Sequence, residues 1–216
     1  KRGNKEAVAL MAVIEKIEPH LGDGKPAITC ELSREEAVMA KHLFLLSGKP
    51  TLFAANLKDS ELSAADSNVF LKDVREYAAK HHGCETVVIS AQIESELIDL
   101  SEKEASEFLS EMGVDESGAG QLIQKSYSLL GLQTYFTTGE KETRAWTIYK
   151  GDTAPKAAGV IHGDFERGFI KAETVAYDDL IECGSIAAAR DRGLYRMEGK
   201  EYIVQEGDVM LFKFNV

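Results

Sequence analysis

The sequence predicts an α/β fold followed by a smaller α+β fold, and three observations support this. Two short apolar runs, at residues 49–56 and 85–91, flank an amphipathic segment in the pattern of a strand–helix–strand unit. From Leu132 onward, several short strands separated by glycines are expected instead. The chain has 216 residues, 44% hydrophobic and 28% charged, which suffices for one large domain or two modest ones. We therefore place a domain boundary at about Gly131.

The N-terminal part of the chain predicts two helices. Apolar residues recur at helical spacing in residues 6–18, and Pro19 together with the Gly22-Asp23-Gly24 run is expected to end that helix. Residues 33–36 have capping-box spacing and predict the start of a second helix that runs to about Leu46. The two helices could form a hairpin arm or could be ordinary core helices, and the pattern favours neither.

Residues 49–91 predict a βαβ unit with two buried parallel strands. A helix is expected between them at residues 67–81, ended by Gly83. Its apolar face is expected to comprise Val69, Phe70, Val74, Tyr77 and Ala78. Two strands do not make a stable sheet alone, so further strands are expected in sequence that precedes Lys1.

The rest of the chain predicts two more helices and the small second domain. The helices are expected at residues 101–112, opened by another capping box, and at about residues 120–130. Strands are then predicted at residues 134–137, 143–148, 168–176 and 209–214, with short helices at residues 154–161 and 185–191. Strands, then a helix, then more strands predict an α+β roll of about 85 residues.

The charge of the chain argues against several classes of partner. The net charge is −11, of which residues 1–131 carry −8 and residues 132–216 carry −3. Neither half has the basic surplus that drives binding to phosphate backbones. Free nucleic acid, and sequence-specific DNA in particular, is therefore a poor candidate, although a local basic patch could still contact a ribosome-like partner.

The sequence also predicts a cytoplasmic protein with no membrane segment. No apolar run approaches the roughly 20 residues of a membrane span, and the polar opening KRGNKE is unlike a secretory signal. Cys30, Cys84 and Cys183 are scattered and odd in number, so they predict neither a metal site nor a disulfide framework. The chain begins at Lys1, directly before a helix, which suggests a piece of a longer protein.

Two polar loops follow the two predicted parallel strands and form the strongest candidate site. In open parallel sheets, ligands bind beyond the carboxyl ends of the strands, where both loops are expected. The Asp59 carboxylate can accept from purine ring N–H groups, while the Asn56 amide can donate to an acceptor and brace the neighbouring loop. The candidate base-binding residues are Asn56, Leu57, Asp59, Ser90, Ala91 and Gln92. The alternative is that both loops are ordinary turns with satisfied hydrogen bonds.

No phosphate-binding motif accompanies these loops. The sequence contains no G-x-x-x-x-G-K-[ST], and no D-x-x-G follows a strand with a matching Mg²⁺ site. Nucleotide affinity comes largely from phosphate contacts. We therefore expect the chain to hold the base-reading part of a nucleotide site, without catalytic residues or metal ligands.

Other polar residues are weaker candidates. His162 and Asp164 could form a metal or acid–base pair, but two such residues in a turn more often cap each other. Trp146 is expected in the core, and His81 and His82 are expected to interact with helix carbonyls. No sequence presents a serine in the manner of a nucleophile elbow, so hydrolytic nucleophilic catalysis is unsupported.

The residues also resemble a known family. Residues 131–180, from GLQTYFTTGEKE to ETVAYDDL, and the ending YIVQEGDVMLFKFNV closely resemble the YchF / Obg-like ATPase family, Obg-related P-loop NTPases of the TRAFAC class. KPTLFAANLKD looks like the family's base-recognition strand and loop, and VVISAQIESEL looks like its fifth nucleotide motif. The resemblance covers essentially the whole chain.

The resemblance implies three parts. Residues 1–47 would be the returning helix of a coiled-coil arm with its connection, and residues 48–131 the C-terminal part of a parallel-sheet nucleotide-binding domain. Residues 132–216 would be a TGS domain, a ubiquitin-like β-grasp. The family's base motif typically reads N-x-x-E, whereas Asp59 stands at the Glu position here. That departure leaves the preference between ATP and GTP open.

The expected function follows from the resemblance and the missing phosphate motif together. The chain is expected to be the C-terminal part of a ribosome-associated ATP/GTP-binding NTPase that uses Mg²⁺ in its full-length form. Alone it should neither hydrolyse nucleotide nor bind it tightly, so whether it is itself an enzyme is open. The alternative is a non-enzymatic module that docks onto a ribosome or another protein.

Overall fold

The computed structural model describes residues 5–80, 84–114, 116–139 and 142–215. The chain divides into two compact units, Lys1–Ser126 and Tyr127–Val216. Both units contain helices and strands, in agreement with the prediction of a mixed helix and strand protein. Within the described part, every helix is too short or too polar to cross a bilayer.

Two helices open the first unit, α1 (Lys5–Gly22) and α2 (Arg34–Lys41). α1 runs through Pro19 and ends at Gly22, so the stop predicted for Pro19 and the glycine run that follows it falls at the start of that run. The capping box of α2 is confirmed, but α2 ends well before Leu46 because Phe44 adopts a φ of 50°. The pKa of the Glu36 carboxyl is lowered by two hydrogen bonds. The larger effect comes from Lys16, at 2.7 Å, and the smaller from the Ser33 N–H.

The βαβ unit is present, with β1 (Leu52–Asn56), α3 (Val69–Lys80) and β2 (Glu85–Ile89). The two strands pair in parallel. A 3₁₀ helix at Asp59–Ser67 connects β1 to α3. The predicted apolar face of α3 is wrong in part, because Leu71 and Ala78 are buried whereas Val69 and Phe70 are 66% and 80% exposed. The expected stop at Gly83 lies outside the described residues.

Three helices follow β2 in sequence: α4 (Ala91–Leu97), α5 (Glu102–Glu111) and α6 (Gly118–Leu129). The capping box of α5 is confirmed at Ser101 and Glu104, and the Ser101 side chain lowers the pKa of the Glu104 carboxyl. Near its start, α6 approaches β2 so closely that a Cβ on Gly118 would lie 2.8 Å from the Ile89 Cα.

The second unit is a five-stranded mixed sheet flanked by short helices. Its elements are β3 (Leu132–Thr138), β4 (Thr143–Tyr149), α7 (Ala154–Ile161), α8 (Gly163–Arg167), β5 (Phe169–Ala176), α9 (Tyr177–Cys183), α10 (Ile186–Asp191), β6 (Arg196–Glu198) and β7 (Asp208–Phe214). The strand order is β4-β3-β7-β5-β6. β3 and β7 pair in parallel, and the other neighbours are antiparallel.

Each face of this sheet contributes to a hydrophobic cluster. Tyr135 and Phe212 pack with the alanines of α7 on one face, and the Tyr135 hydroxyl donates to the Ala157 carbonyl at 2.8 Å. Burial raises the pKa of Tyr135. Val175 and Val209 pack with Ala189 of α10 in the other cluster. The sequence analysis missed α8, α9 and β6, which are three to seven residues long and too short for periodicity to reveal.

Candidate functional site

The carboxyl ends of β1 and β2 place the two candidate loops next to each other. Asn56, the last residue of β1, pairs with Ile89, the last residue of β2. The Leu57 N–H donates to the Ile89 carbonyl at 2.8 Å, which carries the ladder one residue beyond β1. The segment that begins at Leu57 and the turn at Ser90 therefore leave the sheet at the same edge.

A side chain joins the two loops directly. The Asn56 Oδ1 atom accepts a hydrogen bond from the Ala91 N–H at 3.0 Å. This contact spans 35 positions of sequence and fixes the spacing of the loops. Asn56 is exposed, so its Nδ2 group can still donate to a ligand. Since Ala91 is engaged, the next N–H of the first helical turn, that of Gln92, is a further backbone donor at this edge.

The Asp59 carboxylate is held by its own loop and keeps accepting capacity. Its Oδ1 atom accepts from the Ser60 N–H at 2.7 Å. The Glu61 carboxylate accepts from the Lys58 N–H at 3.3 Å and closes the turn. A carboxylate has about four lone-pair positions, so the bond from Ser60 leaves Asp59 able to accept from a ligand. The sequence analysis missed Ser60 and Glu61, because Lys58 is not one of the residue types that mark the start of a helix.

The side chains of Ser90 and Gln92 are placed differently from those of Asn56 and Asp59. Ser90 is 2% exposed, and its hydroxyl has no hydrogen-bond partner in the part of the chain that the structure describes. It precedes α4 without capping it through its side chain. The Gln92 amide donates to Glu96, one turn along α4, at 3.3 Å. Ser90 therefore presents backbone groups at the edge, whereas the exposed Gln92 side chain keeps its amide oxygen and one N–H besides the bond to Glu96.

The remaining candidates have structural roles. The His162 Nδ1 atom accepts from the Asp164 N–H at 3.2 Å and caps α8, as the capping alternative predicted. Trp146 is half-buried against the core, and its indole N–H donates to Thr137 at 2.9 Å. His81 and His82 lie outside the described residues. Within residues 5–80, 84–114, 116–139 and 142–215, no three His, Cys, Asp or Glu side chains cluster in a way that could hold a metal ion.

Comparison with known proteins gives consistent results over the whole chain. Residues 132–215 match the family YchF-GTPase_C, described as a protein of unknown function (DUF933). The chain is 49% identical over its full length to the ribosome-binding ATPase YchF of Bacillus subtilis and 47% identical to that of Haemophilus influenzae. It spans 59% and 58% of the lengths of these two relatives.

A solved structure gives the same match at the level of the fold. The YchF GTPase of Schizosaccharomyces pombe superposes with a TM-score of 0.78 at 33% identity, over 94% of this chain and 53% of that protein. Sequence and fold therefore agree on one family: the chain is similar to YchF proteins over its full length by sequence and over 94% of its length by fold.

Proposed function

We propose that this chain supplies the base-reading part of a purine-nucleotide site in a ribosome-binding ATPase. The observation that carries the proposal is the hydrogen bond from the Ala91 N–H to Asn56, which joins the two loops at the carboxyl edge of a parallel sheet. The names of the relatives support both parts of it, since they are called ribosome-binding ATPases.

The available donors and acceptors suit a purine. The Asp59 carboxylate can accept from ring and exocyclic N–H groups, of which guanine offers two on adjacent atoms. The Asn56 Nδ2 group and the Gln92 N–H can donate to ring nitrogens or to a carbonyl oxygen. Adenine would use its exocyclic amine at Asp59 and has no carbonyl for Gln92. Either base can thus be bound, and the difference in affinity between guanine and adenine is to be measured.

Tight binding and hydrolysis would require groups that these 216 residues do not contain. No phosphate-binding loop occurs in the sequence, so a nucleotide bound by this chain alone would gain little from its phosphates. In a longer protein that carries such a loop, Mg²⁺ with ATP or GTP would complete the site. We expect this chain by itself to bind nucleosides and nucleotides with similar, weak affinity and not to hydrolyse them.

Titration with nucleosides separates base reading from phosphate binding. Guanosine and adenosine, added to the ¹⁵N-labelled chain, should shift the amide signals of Asn56, Asp59, Ala91 and Gln92 in the millimolar range. The Asp59→Asn variant should weaken guanosine binding about tenfold or more, because an amide cannot accept from both guanine donors. Asp73→Asn, the same change at an exposed position on α3, is the matched control.

Three outcomes would count against the proposal. Absence of these shifts at saturating nucleoside would remove the base site. Equal guanosine affinity for Asp59→Asn and Asp73→Asn would remove the role of Asp59. ATP binding at micromolar concentration by the 216-residue chain would show a phosphate site that the sequence does not contain.

A second proposal concerns residues 132–216, which we propose form a TGS-type β-grasp that docks onto the ribosome. The strand order supports it, because the first and last strands of the unit, β3 and β7, pair in parallel in mid-sheet with α7 packed against the core. The family match to residues 132–215 supports it as well. Residues 1–47 would then be the arm and residues 48–131 the nucleotide-domain part, in a protein that works in the cytoplasm.

Co-sedimentation with ribosomes tests the docking role. The 216-residue chain should sediment with ribosomes, and a polypeptide of residues 1–131 should do so several-fold less. A Phe165→Ala variant removes the ring stacked on Phe214. It perturbs the second unit without deleting it and should also reduce sedimentation with ribosomes. Equal sedimentation of the full chain and of residues 1–131 would refute a docking role for the second unit.

A further inference from the structure

The two edges of the five-stranded sheet differ in how they are protected. The edge strand β6 has three residues, two of them the charged Arg196 and Glu198. The opposite edge strand, β4, has seven residues, neither proline nor a bulge, and one charged side chain, Arg144. The Arg144 guanidinium lies 4.2 Å from the centroid of the Trp146 ring. Natural sheets usually blunt their edges with charges, prolines, bulges or short strands, and β4 lacks nearly all of these.

The hydrogen bonds at both ends of the β3–β4 ladder show which groups of β4 are free. Lys150 N–H donates to the Gly131 carbonyl at 2.8 Å, and Gly139 N–H donates to the Glu142 carbonyl at 3.0 Å. Hydrogen-bonded pairs recur at every second residue of an antiparallel ladder. The backbone groups of β4 that face β3 are therefore those of Arg144, Trp146 and Ile148.

The alternate residues, Thr143, Ala145 and Thr147, consequently direct their N–H and C=O groups away from the sheet. All three are exposed. The edge ends at Tyr149, where Asp152 satisfies both the outward N–H and the outward carbonyl at 3.0 Å. A row of three outward donors and three outward acceptors matches another extended strand, since no side chain offers that alternation.

We propose that this row pairs with β4 of a second copy of the chain, antiparallel, about a two-fold axis at Ala145. In that register Ala145 faces the partner subunit's Ala145, and Thr143 faces the partner subunit's Thr147. Each of these pairs forms two backbone hydrogen bonds, which gives six in all across the axis. The side chains of Thr143, Ala145 and Thr147 lie on one face of the sheet and are small and uncharged, so pairing brings no bulky or charged groups together on that face.

The register also keeps the arginine of one strand away from the arginine of the other. This favours a second copy of the chain as the strand that pairs with β4. Arg144 faces the partner subunit's Trp146 rather than another arginine, and the contact of Arg144 with Trp146 within the chain shows that the two groups suit each other. Residues 132–216, which contain the edge, carry only −3 of the chain's net charge of −11, so repulsion close to the edge is smaller than the total charge implies. Three residue pairs bury far less than the roughly 1,000 Å² of a stable interface, and the dimer is consequently weak and concentration-dependent.

Sedimentation equilibrium and amide exchange on the 216-residue chain test the pairing. Association should appear at high protein concentration, together with slower exchange of the Ala145 and Thr147 amides. Ala145→Pro removes an N–H that makes no bond within the sheet, so the variant should stay folded and monomeric. Because a proline can disturb folding, a second pair of variants carries the test independently.

Two double variants exploit the register. Thr143→Lys with Thr147→Glu places opposite charges across the axis, whereas Thr143→Lys with Thr147→Lys places like charges there. Both remove the same contacts, including the one between Thr147 and Tyr127 at 3.1 Å. The Lys/Glu chain should dimerise about fivefold or more tightly than the Lys/Lys chain. Equal association of the two, a monomer at every concentration, or pairing of β4 only with another protein would overturn the proposal.

Discussion

At the scale of the residue, Asp208 is a buried carboxylate of the second unit whose stability depends on its hydrogen-bond partners. Its side chain is almost wholly buried and accepts hydrogen bonds from the Tyr202 hydroxyl at 2.8 Å and the Gln205 N–H at 2.9 Å. Arg196 lies 3.6 Å from its other oxygen. Burial, followed by the bond to Asp208, raises the pKa of Tyr202 to about 12. A buried carboxylate is tolerated only while such partners remain.

Replacing Tyr202 by phenylalanine should therefore destabilise the second unit. At pH 7 we expect the Tyr202→Phe variant to lose about 1.5–3 kcal/mol, since Asp208 loses a donor while it stays buried. The raised pKa stabilises the wild-type fold below pH 10, the ordinary tyrosine value, and this contribution is lost as the pH rises towards 12. The variant lacks that part of the alkaline loss, so the difference between the two proteins should shrink from pH 10 to pH 12.

Urea unfolding, followed at several pH values, measures this effect. Tyr149→Phe, which removes an exposed hydroxyl at the end of β4, is the control and should change the free energy of unfolding by less than about 0.5 kcal/mol. A difference between Tyr202→Phe and wild type that does not depend on pH would contradict the proposed link between Tyr202 and Asp208.

At the scale of the element, the position of α6 depends on a glycine. An alanine at Gly118 would put its Cβ 2.8 Å from the Ile89 Cα, an atom of β2 that cannot move without disturbing the strand. Gly118→Ala should destabilise the first unit by about 1–3 kcal/mol. Gly120→Ala, two residues later in the same helix, meets mainly the flexible end of Glu116 and should be close to neutral.

The two glycine variants also report on the candidate site, because Ile89 immediately precedes Ser90. Displacement of β2 in Gly118→Ala should shift the amide signal of Ala91, which bonds to Asn56, whereas Gly120→Ala should leave it in place. Heat or urea unfolding with an amide spectrum of each variant measures both effects. Equal losses of stability in the two variants would show that α6 does not approach β2 as closely as the structure indicates.

Local signals in the sequence predicted elements well where the determinant was itself local. The capping boxes at Ser33 and Ser101 fixed two helix starts, because both partners lie within four residues of each other. The apolar face of α3 was wrong because Val69 and Phe70 have the right spacing, while burial depends on which neighbours lie beside the helix. Similarly, α2 was predicted to run to about Leu46, but Phe44 adopts a positive φ that interrupts the helix. The preferences of phenylalanine do not predict such a backbone angle.

The candidate site was predictable in place but not in detail. The ends of two parallel strands located both loops, because strand register brings carboxyl ends together. The contact between Asn56 and Ala91 had been anticipated only as a general bracing role for an amide. The burial of the Ser90 hydroxyl depends on tertiary packing around β2, and it cannot be predicted from local sequence patterns.

At the scale of the whole molecule, the chain consists of two units with separate buried residues. Leu71 is buried in the first unit, and Met210 is buried in the core cluster of the second. Each unit therefore has its own apolar residues to bury, which is the condition for folding as a cooperative unit. Unfolding of the chain should accordingly depart from a single two-state transition.

The matched variants Leu71→Ala and Met210→Ala test this separation. Both residues are 1% exposed, and truncation to alanine should cost the unit concerned about 2–5 kcal/mol. Amide exchange resolved by residue should show faster opening of β2 in Leu71→Ala and faster opening of β5 and β7 in Met210→Ala. The other unit should keep its wild-type rates in each case, and a polypeptide of residues 127–216 should unfold cooperatively by itself. If each substitution accelerates exchange equally in both units, the chain unfolds as one cooperative body, which would contradict the independent folding of the two units.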